Sequence, residues 1–263
     1  MSSFRDRCTG RKMLVGTFAA IPHPVALEIT AQAGFDFICI DWEHAQISRD
    51  TIENLVRACD VHQVPAMVRV PGHGVEAIAA ALDSGARGVL VPRVSTAAQA
   101  AAAVTAVRYP PLGLRGVGPG RAAGYGYRIP EYVAGANAEI VVAVQVETAE
   151  GLENVAAIAA TEGVDLVFVG PGDLSVSIDA IGPEHADRLS SAIETIIAAS
   201  LAEGKAAGMF CTSPEAAGKW SAFGATFMIL ASDTMFLGAE AAARLTAVRE
   251  TAKPARTRPG PTG

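Results

Sequence analysis

The stretch FDFICIDWEHAQISRDTIENLVRACDVHQVPAMVRV, residues 35–70, decides the fold. An apolar, β-branched run (FDFICI, 35–40) stops at Asp41, a helix-period segment follows (DTIENLVRACDVH, 50–62), and a second apolar run (PAMVRV, 65–70) ends beside Arg69. Strands this continuously apolar are buried on both faces, and strand–helix–strand alternation builds parallel sheet. The unit repeats in both directions. LVGTFA (14–19), GVLVP (88–92), IVVAVQVE (140–147), DLVFVG (165–170), AAGMF (206–210) and TFMILA (226–231) bring the candidate strands to eight. Helical segments such as HPVALEITAQAG (23–34), VEAIAAALDSG (75–85), TAAQAAAAVTAVR (96–108) and HADRLSSAIETIIAASLAEG (185–204) separate them. Eight such units in about 250 residues suit a closed (β/α)8 TIM barrel better than an open doubly wound sheet. No linker-like break divides residues 1–250, which are read as one domain, and the Pro-, Gly- and Arg-containing tail 251–263 is read as disordered. One connection breaks the rhythm: residues 109–132, rich in Gly, Pro and Tyr, form a long loop between the fourth and fifth strands.

Composition narrows the partners. The chain has 263 residues, 50% of them hydrophobic, and a net charge of -6, so it can bury a large core but offers no basic surface for nucleic acid or an anionic membrane. No signal-peptide core and no run of roughly 18 apolar residues is present, which points to the cytoplasm and to a small-molecule partner. Cys8, Cys39, Cys59 and Cys211 are scattered without a CxxC pair, so neither a disulfide framework nor a thiolate metal site is indicated.

Active sites of (β/α)8 barrels sit at the carboxyl ends of the strands, and ionisable residues fall there selectively. The second strand ends in Asp41, Glu43 and His44, the third at Arg69, the fifth in Gln145 and Glu147, and the sixth runs into GPGD with Asp173. Glu147 and Asp173, on adjacent strands in a partly desolvated mouth, would repel each other strongly. A divalent cation with hard oxygen ligands, Mg2+ or Mn2+ first and Co2+ or Zn2+ as alternatives, relieves that conflict. Capping of the following helices is the competing role for both carboxylates. Asp41, three residues before His44, can orient the imidazole and keep it basic. Arg69 needs an anionic partner, from the protein or from a substrate oxyanion. The lysines, Lys12, Lys205, Lys219 and Lys253, all fall away from strand carboxyl ends, so a carbanion formed here would be stabilised by metal rather than by a Schiff base.

IDWEHA (40–45), VRV (68–70), LDSGARGVLVPRV (82–94), RYPPLGLRGVG (108–118), VQVET (144–148), VFVGPGDLS (167–175), GKAAG (204–208) and SDTM (232–235) together, and in order, resemble the HpcH/HpaI-type aldolases, metal-dependent class II pyruvate aldolases. The resemblance implies a (β/α)8 barrel of the phosphoenolpyruvate/pyruvate type. It also implies a homo-oligomer, commonly a hexamer (a trimer of dimers) whose subunits exchange or pack their last helices. It casts Glu147 and Asp173 as metal ligands, Arg69 as the group on the pyruvyl oxygen, His44 with Asp41 as the acid–base pair, Gln145 as a pyruvate neighbour, and the Gly172 and Asp173 backbone N–H groups as the carboxylate-binding turn. Asp83 matches an aspartate that approaches the histidine of a neighbouring subunit; Glu43, Trp42, Arg115 and Thr212 are lesser candidates.

The implied activity is reversible aldol cleavage of 4-hydroxy-2-keto acids to pyruvate or hydroxypyruvate and an aldehyde. An oxaloacetate decarboxylase and a citrate-lyase-like acyl-CoA lyase are the nearest alternatives, and a non-catalytic 2-keto-acid-binding barrel would have no use for an acid–base pair. Three departures from the resembling sequences bear on the aldehyde half: Trp42 where a smaller residue is typical, Ala231-Ser232 in LASDTM (230–235), and the Tyr-rich GPGRAAGYGY (118–127), expected beside the site.

Overall fold

The computed structural model describes residues 2–252; of the tail read as disordered, everything after residue 252 lies outside the described residues. A short helix, α1 (Phe4–Thr9), precedes β1 (Leu14–Ala19), α2 (Pro24–Ala31), β2 (Phe37–Asp41), α3 (Arg49–Val61), β3 (Ala66–Arg69), α4 (Val75–Asp83), β4 (Gly88–Val91) and α5 (Ala97–Val107). There follow α6 (Ile129–Glu139), β5 (Val141–Val146), α7 (Ala149–Glu153), α8 (Val155–Ala159), β6 (Leu166–Val169), α9 (Pro171–Ser177), α10 (Ala186–Ala202), β7 (Ala206–Cys211), α11 (Pro214–Ala222), β8 (Phe227–Ser232) and α12 (Asp233–Thr251). The eight strands are parallel and close in sequence order, β8 pairing with β1. All eight candidate runs are strands, with ends that shift by up to two residues.

Two apolar layers hold the barrel. The larger lies between strands and helices and takes the outward residues, for example Ile38 and Ile40 of β2 with Leu55 and Cys59 of α3. The smaller fills the barrel, with Phe37, Cys39, Met67, Leu166 and Phe227 among its members. Its amino end is plugged by α1, whose Phe4 ring lies 5.7 Å from Phe37 and 6.2 Å from Phe227. Beside that plug Asp165, buried, accepts from Arg5 Nη2 at 2.8 Å and from Arg108 Nη2 at 3.0 Å, and its Oδ2 also takes the Val142 N–H.

The long connection differs from its reading as one loop. Residues Arg121–Gly126 form 3-10 turns and α6 begins at Ile129. It joins the end of α5 to the start of β5, and connections from helix to next strand lie at the amino end of a (β/α)8 barrel. The Tyr-rich segment therefore packs against the end of α4, with Arg121 Nη1 donating to the Ser84 carbonyl at 3.1 Å, and stands away from the mouth of its own barrel. The last helix is unlike the others: of α12 only Asp233 is buried, while Leu237, Leu245 and Val248 are exposed. No described helix is long and apolar enough to cross a membrane.

Candidate active site

Alternation along the strands decides which side chains reach the mouth. In β2, Phe37 and Cys39 belong to the inner layer and Asp41 continues their column; Met67 is followed by Arg69 in β3, and Val141 and Ala143 by Gln145 in β5, with Glu147 just beyond. A side-chain period of two does this without any further device. The sequence gains its ionisable residues where the inward columns emerge.

Register then makes the first pair. Asp41 stands opposite Arg69 in the β2–β3 ladder, and Arg69 donates from Nε to Asp41 Oδ1 at 3.0 Å and from Nη2 to Oδ2 at 2.7 Å. The two-point geometry aligns the guanidinium plane, which also lies 4.3 Å from the Phe18 ring centroid. Asp41 Oδ1 further accepts the backbone N–H groups of Glu43 and His44, each at 3.2 Å, folding the DWEH segment back over the rim. Asp41 thus positions His44 through its main chain; among the described residues it makes no hydrogen bond to the imidazole. That ring, with 58% of its side chain exposed, stands 3.7 Å from Glu43 Oε2. The sequence expectation of an Asp41–imidazole contact is replaced by an Asp41–Arg69 pair, because the expectation lacked the cross-strand register.

Glu147 is buried at the end of β5. Its Oε1 accepts the Arg93 N–H at 2.8 Å and its Oε2 the Gln145 amide. Burial pushes its carboxyl up to about 7 against those hydrogen bonds, and the charges of Asp173 and Glu43 push the same way. Burial likewise raises Glu43, against the pull of Arg69. Gly170 permits this packing, since a Cβ there would overlap Glu147 Oε2 and Gln145 Nε2, whereas a Cβ on Gly172 would meet only open space. Glu43 Oε2 and Gln145 Oε1 are buried without a hydrogen-bond partner. Crowded carboxylates and orphaned oxygens at the strand ends form a hard-oxygen donor set that fits a divalent cation. Among the described residues no three His, Cys, Asp or Glu side chains converge as a complete ligand group, so a cation here would rest on Glu147 and Asp173 with water and substrate oxygens filling the remaining positions. The cysteines are buried, and burial pushes the Cys8 and Cys59 thiols up to about 12.

Asp41, His44, Arg69, Gln145, Gly172 and Asp173 open onto one cavity of about 670 Å3, which Thr212 also lines. Other candidates go elsewhere. Trp42 packs against the layer between strands and helices and lies outside that cavity. Asp83, ending α4 at the amino end of the barrel, accepts from Arg115 Nη2 at 2.8 Å. Arg115 is held 4.7 Å from the Tyr109 ring centroid and 5.3 Å from that of Tyr132. Neither residue reaches the mouth of its own barrel. The sequence reading missed the aromatic wall of the cavity, Phe18, Phe168 and Phe210; the same alternation that exposes Gln145 would have flagged Phe18 and Phe168. Ala231 adopts a left-handed φ of 51° at the end of β8, a conformation that glycine takes without strain.

A family model described as HpcH/HpaI aldolase/citrate lyase matches residues 14–239. The chain is 40% identical over 238 residues to a hydroxypyruvate/pyruvate aldolase of Deinococcus radiodurans, covering 90% of this chain and 86% of that one. It is 36% identical over 232 residues to a 5-keto-4-deoxy-D-glucarate aldolase of Klebsiella pneumoniae, covering 88% and 91%. A crystal structure of an HpcH/HpaI aldolase/citrate lyase family protein from Burkholderia cenocepacia superposes with a TM-score of 0.88 at 36% identity, covering 93% of this chain and 98% of that one.

Proposed function

The chain belongs to the HpcH/HpaI aldolase/citrate lyase family, and on that premise we propose that it is a carbon–carbon lyase that reversibly cleaves 4-hydroxy-2-keto acids to pyruvate, or hydroxypyruvate, and an aldehyde. The observation that carries this reading is the convergence of Arg69, Asp173 and His44 at one cavity, with the Glu147 carboxyl buried close enough to feel the Asp173 charge. Glu147 and Asp173 would hold a divalent cation, Mg2+ or Mn2+, which when bound supplies a Lewis acid to the keto and carboxylate oxygens of the substrate.

The chain's own groups account for the remaining work. Arg69, fixed in plane by Asp41, directs its charge at the 2-keto oxygen, where negative charge grows as the C3–C4 bond breaks and its electron pair moves into the pyruvate enolate. The Gly172 and Asp173 N–H groups face the substrate carboxylate. His44, exposed to solvent, draws the 4-hydroxyl proton through a water molecule, so that C4 leaves as the aldehyde carbonyl; the enolate then takes a proton at C3. Gln145 holds Glu147 and borders the pyruvyl group. Run backwards, the same steps join pyruvate to an aldehyde.

The finer parts of the reading are a hexameric assembly and a cytoplasmic site. The exposed apolar residues of α12 support subunit packing through that helix. The decisive experiment is chelation. Metal-stripped protein should lose aldol turnover and regain it with Mg2+ or Mn2+. Mn2+ binding measured by calorimetry should weaken more than about a hundredfold in Glu147→Gln, since even changes outside a ligand set cost 10–100-fold. Full activity after chelation, or a lysine adduct trapped by borohydride with pyruvate, sinks the metal mechanism.

A further inference from the structure

The cavity is larger than its polar end needs. Asp41, His44, Arg69, Gln145 and Asp173 line one side, enough to surround a three-carbon keto acid, yet the space of about 670 Å3 continues without interruption past the β7 carboxyl end into a cleft between α10 and α11. The walls of that extension are Leu189 and Ile193 from α10, Met209 from β7, and Ala216 and Trp220 from α11. Ile193, Met209 and Trp220 are buried, and Leu189 and Ala216 are partly buried. On the surface side Lys219 Nζ of α11 donates to Ser190 Oγ of α10 at 2.6 Å and lies 4.2 Å from the Trp220 ring centroid. The extension is an apolar annex of the catalytic cavity.

Charge distribution says what enters it. Arg69 is the one guanidinium or ammonium group among the described residues lining the cavity, and it is committed to Asp41 and the keto acid. Among the described residues no cation lines the annex to match a second carboxylate, and burying one there unpaired would be costly. An alkyl chain or aryl ring gains instead from every carbon removed from water. Building on the aldolase reading above, we propose that the acceptor half-site selects uncharged, apolar aldehydes, whose chain lies between α10 and α11 against Trp220. The corresponding cleavage substrates are 4-hydroxy-2-keto acids with an apolar substituent on C4.

The test pairs an acceptor series with a control for the underlying reading. With Mn2+ present, exchange of the pyruvate C3 hydrogens with deuterium from solvent, followed by proton NMR, reports enolate formation with no aldehyde present. Absence of exchange overturns the aldolase reading and this inference with it. Given exchange, kcat/KM for condensation with acetaldehyde, butanal and hexanal should rise by at least about tenfold across the series, a methylene being worth up to about fourfold when fully buried. Hexanal should exceed succinic semialdehyde by a similar factor. Ala216→Phe, which fills the cleft, should flatten the rise. Leu189→Arg, which places a cation in the annex and tests the same point should the first variant not fold, should move the preference toward succinic semialdehyde. A flat series in the unaltered protein, a preference for succinic semialdehyde, or a rise that survives both substitutions overturns the assignment.

Discussion

Asp41 does two tasks with one carboxylate. It fixes the guanidinium of Arg69 in plane and it captures the N–H groups that turn the chain toward His44. A lysine at position 69 would keep the charge but could not make the paired, planar contact. Arg69→Lys is therefore expected to lower kcat/KM for pyruvate by about 10²–10³-fold, the usual loss on removing one oxyanion donor, and steady-state kinetics with Mn2+ in excess would read it. Removing the imidazole acts later in the reaction. His44→Ala should retain Mn2+ binding by calorimetry while aldol turnover falls by about 10²–10⁴-fold, the ordinary contribution of a general base. A His44→Ala protein that turned over normally would remove His44 from the mechanism.

At the scale of elements, the amino end of the barrel is held by charge as well as by Phe4. Asp165 lies between Arg5 and Arg108 and caps the start of β5 through the Val142 N–H. Breaking a buried ion pair from one side leaves uncompensated charge, a cost of about 3–5 kcal/mol. Asp165→Ala should lower the unfolding free energy by that amount in urea titrations, and an unchanged midpoint would contradict it. This network was hidden in the sequence, because Arg5, Arg108 and Asp165 are distant and nothing local marks them as partners. The six-residue α1 was equally silent, being too short to show a period. The strands were legible because both their faces are buried, so apolar character alone marks them. The mouth was legible because barrel topology sends strand ends to one rim, which is how Arg69, Gln145 and Glu147 could be picked by position. What could not be read was the pairing across strands, which joined Asp41 to Arg69 rather than to the imidazole, and the inter-helix cleft, which gathers Leu189, Ala216 and Trp220 from elements with no shared motif. Trp42 looked like a departure at the chemistry; one residue past the strand, it packs outward into the layer beneath the helices.

At the scale of the whole molecule, α12 is the most exposed of the long helices. A helix of 19 residues with only Asp233 buried and with Leu237 and Val248 more than half exposed offers apolar side chains to the subunit packing proposed above. Light scattering on the protein should give the mass of an oligomer, and the double substitution Leu237→Asp with Val248→Asp should shift that mass toward smaller species. A monomer from the outset, or an assembly indifferent to both charges, would count against subunit packing through this helix.

The cavity also divides its labour by strand. Its polar and charged groups at the chemistry come from the ends of β2, β3 and β5 and the first turn of α9, whereas the annex is built from β7, α10 and α11. Descendants of this sequence could therefore drift to new carbon skeletons through substitutions confined to the C-terminal third of the chain, while selection on the N-terminal two thirds kept enolate formation intact. Recombination between such lineages near residue 180 would exchange tastes in aldehyde without rebuilding the chemistry.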